Sequence, residues 1–252
     1  MSPGSARAAR LVAAPLIAAA VAAGGTLTPP AAAAASTPDE VRGPTPRRAW
    51  TARVMVPTAV RARPDVRARR TGRVDTVAAW NGGSVELLVL AARTDARGRR
   101  WIKVRLPERP NTRSGWMRAD FARLSTVRWR VVIDLRDRRA RAYHDGHLKR
   151  SWPVVVGKRA TPTPRGRFAV YERVRQPAGS ELGPYALHLT AHSKTLRNYG
   201  GGPGRIALHG RAGALLSDPL GSAASHGCVR MNNRVLQWLA RRAAPGTPVE
   251  IR

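Results

Sequence analysis

From residue 51 onward, apolar and charged positions alternate in short runs separated by turn residues. ARVMVPTAVRARP, GRVDTVAAWNGGSVELLVLAAR, DARGRRWIKVRLP and SGWMRADFARL predict four or five strands, because a period of two marks a chain with one buried face. Asn81-Gly82-Gly83 and Ala96-Arg97-Gly98 supply tight turns. Residues 51–126 are thus expected to form a small β-barrel. A second series starts at 127: RWRVVIDLRDRRARAYHDGHLKRSWPVVVG alternates over three strands, with a turn at His144-Asp145-Gly146. TPTPRGRFAVYERV, YALHLTAHS and GRIALHG add strands, and TPVEIR a closing one. The period changes only after Asn232 and Asn233, where RVLQWLARRA places Val235, Leu236 and Leu239 on one helical face with an Asn available as N-cap. Pro245-Gly246 ends that helix. The expected class is therefore all-β for the most part: a small barrel, then a β-rich domain over 127–252 with one short helix. Residues 36–50, STPDEVRGPTPRRAW, are rich in Pro, Thr and charge and read as a linker.

The N-terminus departs from both patterns. A short basic region with Arg7 and Arg10 precedes the apolar run LVAAPLIAAAVAAGG and the small-residue stretch TLTPPAAAAAS. The run falls short of the roughly 20 apolar residues that cross a bilayer. Residues 1–35 are expected to be a signal peptide cleaved within 32–36, making the protein exported and extracytoplasmic, at the cell wall. The alternative is retention by an uncleaved anchor. No cysteine follows the run, which excludes a lipid-anchored lipoprotein.

Charge narrows the partners. The chain has 45 Lys plus Arg against 15 Asp plus Glu, a formal net charge of +30. Residues 36–126 carry 20 basic and 8 acidic groups and residues 127–252 carry 23 and 7, so the excess is spread along the chain. Such a surface attracts polyanions, and for an exported protein the obvious one is the anionic cell envelope. Zinc-finger spacing and RNA-binding aromatic signatures are missing, so no nucleic-acid partner is expected. The protein is expected to be a monomer.

The one cysteine, Cys228, cannot form an intramolecular disulfide. It is a partner for another chain, a buried small hydrophobe, or a reactive thiol. Its neighbours favour the last reading. A thiol nucleophile needs a group to manage its proton, usually an imidazole. His226 lies two residues away, and His209 ends the apolar strand GRIALH, followed by Gly210. Gly227 permits a backbone conformation that can aim N–H groups at a developing oxyanion.

His209-Gly210, followed by Ser225-His226-Gly227-Cys228-Val229-Arg230-Met231-Asn232, resembles the active-site signature of the L,D-transpeptidases, the YkuD-like domains. Val156-Gly157, Thr163-Pro164-Arg165-Gly166 with Phe168, and Gly246-Thr247-Pro248-Val249 extend the resemblance in the right order across 127–252. It implies a β-sandwich that acts on peptidoglycan stem peptides without metal or other cofactor. Carried over, Cys228 is the nucleophile and His209 the proton donor and acceptor. Ser225 and His226 shape the nucleophile turn, and Gly227 with Cys228 supplies oxyanion donors. Gly210 and Asn232 are placed at the substrate, and Arg230 steadies the loop or meets a substrate carboxylate. Many members have Thr or Ser where this chain has Arg211, so a backbone carbonyl near Gly210 is expected to orient His209 instead. The implied reaction forms a thioester, releases D-Ala and makes a 3→3 cross-link. An L,D-carboxypeptidase and a non-catalytic wall-binding protein are the alternatives. SGWMRADFARL, with Trp101, Gly115 and Trp116, resembles the end of bacterial SH3-like domains, which implies either a wall-peptide module or a spacer over 51–126.

Two other features weigh less. His188 and His192 have i,i+4 spacing, but in a strand they stand roughly 13 Å apart and lack a third ligand, so no metal site is expected. The tryptophans are expected to fill the β cores. GGGPGR, residues 200–205, reads as a cleft rim beside the strand bearing His209.

Overall fold

In the computed structural model, which describes residues 41–199 and 201–252, the first strand begins at Ala49, inside the stretch expected to be linker. Seven strands build the first sheet: β1 (Ala49–Val54), β2 (Thr58–Arg61), β3 (Arg70–Val74), β4 (Glu86–Thr94), β5 (Arg100–Arg105), β6 (Ser114–Arg118) and β7 (Ala122–Val127). They run antiparallel in the order β3-β2-β6-β5-β4-β1-β7. The count exceeds the expected four or five, in part because β1 and β7 pair through AWTARV and ARLSTV, whose outward positions are polar. Trp50, Ala52 and Val54 point into the core with Val60, Val89, Ile102, Val104 and Met117. On the opposite face of β1, Ala49 packs with Leu88 of β4 and Ala169 of the second domain. β1 is thus buried on both sides. Val41 is buried in the same core as Trp50, so the stretch between them is anchored to the domain at both ends while residues 44–48 stay exposed. Residues 36–40 and the expected signal peptide lie outside the described residues.

The second domain contains β8 (Trp129–Asp134), β9 (Arg139–His144), β10 (His147–Pro153), β11 (Val156–Gly157), β12 (Gly166–Arg175), β13 (Tyr185–His192), β14 (Arg205–His209), β15 (Ala223–Ser225), β16 (Val229–Arg230), the helix α1 (Asn233–Ala240) and β17 (Pro248–Ile251). Eight strands are ordered β10-β9-β8-β17-β12-β13-β14-β16. Two of the pairings, β17 with β8 and β14 with β16, are parallel. β12 joins two layers: residues 166–169 pair with β17, residues 170–175 pair with β13, and a register shift falls between Val170 and Glu172. A bulged strand that changes partners in this way turns a ladder into a sandwich. Between the layers lie Val131, Ile133, Ala140 and Ala142 from one side and Leu187, Leu189, Ile206 and Leu208 from the other.

The helix follows its sequence signals. Asn232 caps it, its side chain accepting from Arg234 N at 2.9 Å, and Val235, Leu236, Leu239 and Ala240 are buried. Among the described residues no helix is long and apolar enough to cross a membrane.

Leu236 is fully buried in the second core, while Leu148 is 54% exposed on β10. Leu236→Ala is expected to cost about 2–5 kcal/mol, and Leu148→Ala no more than about 0.5 kcal/mol. Urea denaturation of the two variants measures the difference.

Candidate active site

The parallel pairing of β14 with β16 brings the two candidate catalytic residues to one place. Leu208 stands opposite Val229 and His209 opposite Arg230, and Met231 N donates to His209 O at 2.9 Å. Cys228 immediately precedes β16. Its Sγ accepts from Ala207 N at 3.4 Å, so the sulfur sits at the edge of β14, two residues along from His209. Cys228 is partly open to solvent and His209 is only 4% exposed.

The turn before Cys228 is held from two directions. Ser225 Oγ donates to Cys228 O at 2.6 Å and accepts from Gly227 N at 3.1 Å. From the outside, Thr163 Oγ1 donates to Gly227 O at 2.8 Å and Thr161 Oγ1 to Ser225 O at 3.1 Å, while Lys158 N also donates to Ser225 O at 2.9 Å. β11 pairs with β15 in parallel just upstream. The Thr163-Pro164-Arg165-Gly166 segment therefore belongs to the site: its threonine clamps the nucleophile turn. Gly227 has φ of +118°, a conformation side chains avoid, and a Cβ there would meet Ile206 Cδ1 at 3.1 Å.

His209 Nδ1 lies 2.8 Å from Gly210 O. A carbonyl only accepts, so in the neutral ring Nδ1 bears the hydrogen and Nε2 keeps the lone pair. The backbone carbonyl thus orients the base, as expected from the presence of Arg211. Burial pulls the His209 pKa down to about 4, opposed by the Gly210 bond and assisted by the Arg230 charge. Burial pushes the Cys228 thiol above its ordinary value, against the Ala207 N–H and the Arg230 guanidinium.

Several expected roles change in the folded chain. The Gly227 N–H is already bonded to Ser225 Oγ, which removes it as an oxyanion donor. The Cys228 N–H has no acceptor among the described residues and remains available. His226 does not shape the turn: it is exposed, with Nδ1 3.5 Å from Tyr199 Oη and the two rings 5.5 Å apart. Of the two roles expected for Arg230, steadying the loop is the one its contacts fit: it is buried and its Nη1 is bound to Asp218 Oδ2. Asp218 O also accepts from Arg211, so the buried ion pair ties down the loop after β14. Asn232 is occupied as the helix cap. Gly210 serves by its carbonyl and its size, since a Cβ there would fall 2.0 Å from Asn233 Oδ1.

Asn233 was missed from the sequence. Its Oδ1 accepts from Arg211 N at 2.8 Å and its Nδ2 donates to Arg211 O at 3.0 Å, fixing the segment that follows the base. The second Asn of the pair after VRM was the available signal. Trp50, Trp101 and Trp152 fill cores as expected, whereas Trp80 is 47% exposed against His188, ring centroids 5.2 Å apart. Among the described residues no group of three His, Cys, Asp or Glu side chains could hold a metal ion.

The family profile of the YkuD L,D-transpeptidase catalytic domain matches residues 128–251. The chain is 33% identical over 126 residues to the protein named YkuD from Bacillus licheniformis, a match covering 50% of this chain and 67% of that one. Among solved structures it is similar to an L,D-transpeptidase from Mycobacterium tuberculosis, at 15% identity and a TM-score of 0.44, covering 79% of this chain and 94% of that one. It is also similar to a variant of the Enterococcus faecium L,D-transpeptidase, at 21% identity and a TM-score of 0.36. That match covers 49% of each chain, so the chain spans about half the length of the Enterococcus protein it matches.

Burial holds His188, His192 and His209 each at a pKa of about 4 in the folded chain, against an ordinary value of 6.5. Unfolding between those two values takes up as many as three protons, so these groups contribute stability that is complete above pH 6.5 and is lost as pH falls toward 4. NMR titration of the ring protons is expected to give midpoints near 4 for all three, and urea midpoints should fall from pH 7 to pH 5. A midpoint at or above 6.5 for any of the three would contradict its burial.

Proposed function

Because the chain belongs to the L,D-transpeptidase catalytic-domain family, we propose that it is a cysteine-dependent transpeptidase that cross-links peptidoglycan stem peptides 3→3. The observation that supports this reading is the bond from Ala207 N to Cys228 Sγ, which sets the thiol of a partly exposed residue on the strand whose His209 is anchored through Nδ1, leaving Nε2 free to accept a proton.

In the first step Sγ attacks the carbonyl that joins the diamino acid at the third stem position to its terminal D-Ala. The S–C bond forms as the sulfur's proton passes to His209 Nε2. A neutral imidazole anchored through Nδ1 offers Nε2 to that proton. The oxyanion is stabilised by the free Cys228 N–H. The C–N bond then breaks, His209 returns the proton to the leaving nitrogen, and D-Ala departs from a thioester. The side-chain amine of a second stem attacks the thioester and loses its proton to His209, which passes it to the departing sulfur. Water in the second step would release a tripeptide instead. We also place the protein outside the cytoplasm, on the strength of the apolar run at 11–25 and the excess of arginine, which favours an anionic wall.

Incubation with defined tetrapeptide stems, read by mass spectrometry, is expected to yield free D-Ala and a cross-linked dimer. Cys228→Ala should abolish D-Ala release, and His209→Ala should reduce it by about 10²–10⁴-fold. Release of D-Ala by the Cys228→Ala protein would refute the scheme.

A further inference from the structure

The first domain grips the link between β13 and β14 through residues 193–199 and 201–204, which carry Tyr199 to the nucleophile turn. Arg109, in the loop between β5 and β6, reaches across the domain boundary. Its Nη1 donates to Ser193 O at 2.7 Å, and its Nη2 donates to Leu196 O at 3.2 Å and to Pro203 O at 3.1 Å. Nearby, Asn111 makes a two-way bond with the His192 backbone: Nδ2 donates to His192 O and Oδ1 accepts from His192 N, both at 2.8 Å. A fixed fork of donors is suited to gathering several carbonyls that have no partner in a sheet.

A second contact comes from another loop of the first domain. Trp80, between β3 and β4, lies so close to Gly202 that a Cβ there would be 2.8 Å from its ring. Trp80 is itself fixed, its N donating to the fully buried Glu172 at 3.1 Å, and Asn81 Nδ2 donates to Arg173 O at 3.2 Å. The base of the segment is closed by Ser193 N donating to Gly204 O at 2.8 Å, and a Cβ at Gly204 would fall 1.9 Å from Leu196 O. At its tip, Tyr199 is half-exposed and sits beside His226, two residues before Cys228.

We propose that Arg109 and Trp80 are positioning residues of the active site: the first domain holds residues 193–199 and 201–204 so that Tyr199 stands beside His226 and walls the approach of a substrate to Cys228. Neither residue touches the reacting atoms. The first domain is then a structural part of the substrate groove, whatever else it binds. The kinetic consequence rests on the stem-peptide reading given above, whereas the mechanical one does not.

The test uses the full chain with Arg109→Ala, Arg109→Lys and Trp80→Ala. Hydrogen exchange at Lys194–Tyr199 is expected to quicken about tenfold or more in Arg109→Ala, with β4 and β5 unchanged. Lysine, whose donors all sit on one nitrogen, lacks the planar fork that spans these carbonyls and should restore little. Alkylation of Cys228 by iodoacetamide, which needs no groove wall, should stay within about twofold of the unaltered rate. KM for the tetrapeptide donor should rise about fivefold or more, with kcat changing less. Exchange unchanged in both alanine variants would overturn the proposal. So would faster exchange spread evenly over the chain, or faster exchange at the segment with KM unmoved. Should Arg109→Ala fail to fold, Trp80→Ala decides alone, since it removes a half-exposed ring and no side-chain hydrogen bond. If the unaltered protein turns over no stem peptide, the transpeptidase reading fails while the exchange data still decide whether the segment is held.

Discussion

The parallel contact between β14 and β16 is the constraint on which the rest of the site depends. Cys228 and His209, nineteen positions apart in the chain, come to neighbouring positions of one sheet because Leu208 and Val229 share a register, and that register sets how near an imidazole and a thiol can stand. Such a short pairing would not hold its own position. It is braced by Ser225 bonding both sides of the turn, by Thr161 and Thr163 bonding it from outside, and by Asn233 bonding the segment after His209. Every one of these groups is satisfied inside the protein, where an unpaired donor or acceptor would cost about 1–3 kcal/mol. The turn is therefore rigid before substrate arrives.

Electrostatics follow from the same geometry. Arg230 lies next in register to the base, and its buried charge is neutralised by Asp218 from the loop between β14 and β15. Breaking such a pair from one side leaves a charge stranded in the interior. The cation also disfavours a proton on His209 and so helps burial keep that ring neutral. One ion pair thus serves the loop and the base together.

Much of this was legible in the sequence, for identifiable reasons. The helix after Asn232 announced itself because a 3.6-residue period and an N-cap are local properties. The Cys228 turn and the strand ending at His209 were visible because short motifs encode short-range geometry. The roles that changed depend on which of several available partners a group takes in the folded chain. Nothing near Gly227 shows that its N–H is consumed by Ser225 in place of substrate, and nothing near Arg230 names Asp218 as its partner. β1 was only half visible: ARV at 52–54 opens the first expected strand, whereas residues 49–51 fell within the expected linker, and part of their burial is supplied by Leu88 and Ala169, far off in the chain. Arg109 and Trp80 could not be singled out, since their partners lie more than eighty residues away and are mostly backbone atoms. Backbone partners leave no imprint on the composition of either segment.

The most direct measurement of the central claim is the rate and site at which a thiol-reactive β-lactam acylates the folded protein. Intact mass followed by peptide mapping should find a single adduct, on Cys228, formed about 100-fold or more slowly when His209 is replaced by alanine. An adduct that forms equally fast without the imidazole, or a folded protein that gains none, would contradict the pairing of Cys228 with His209.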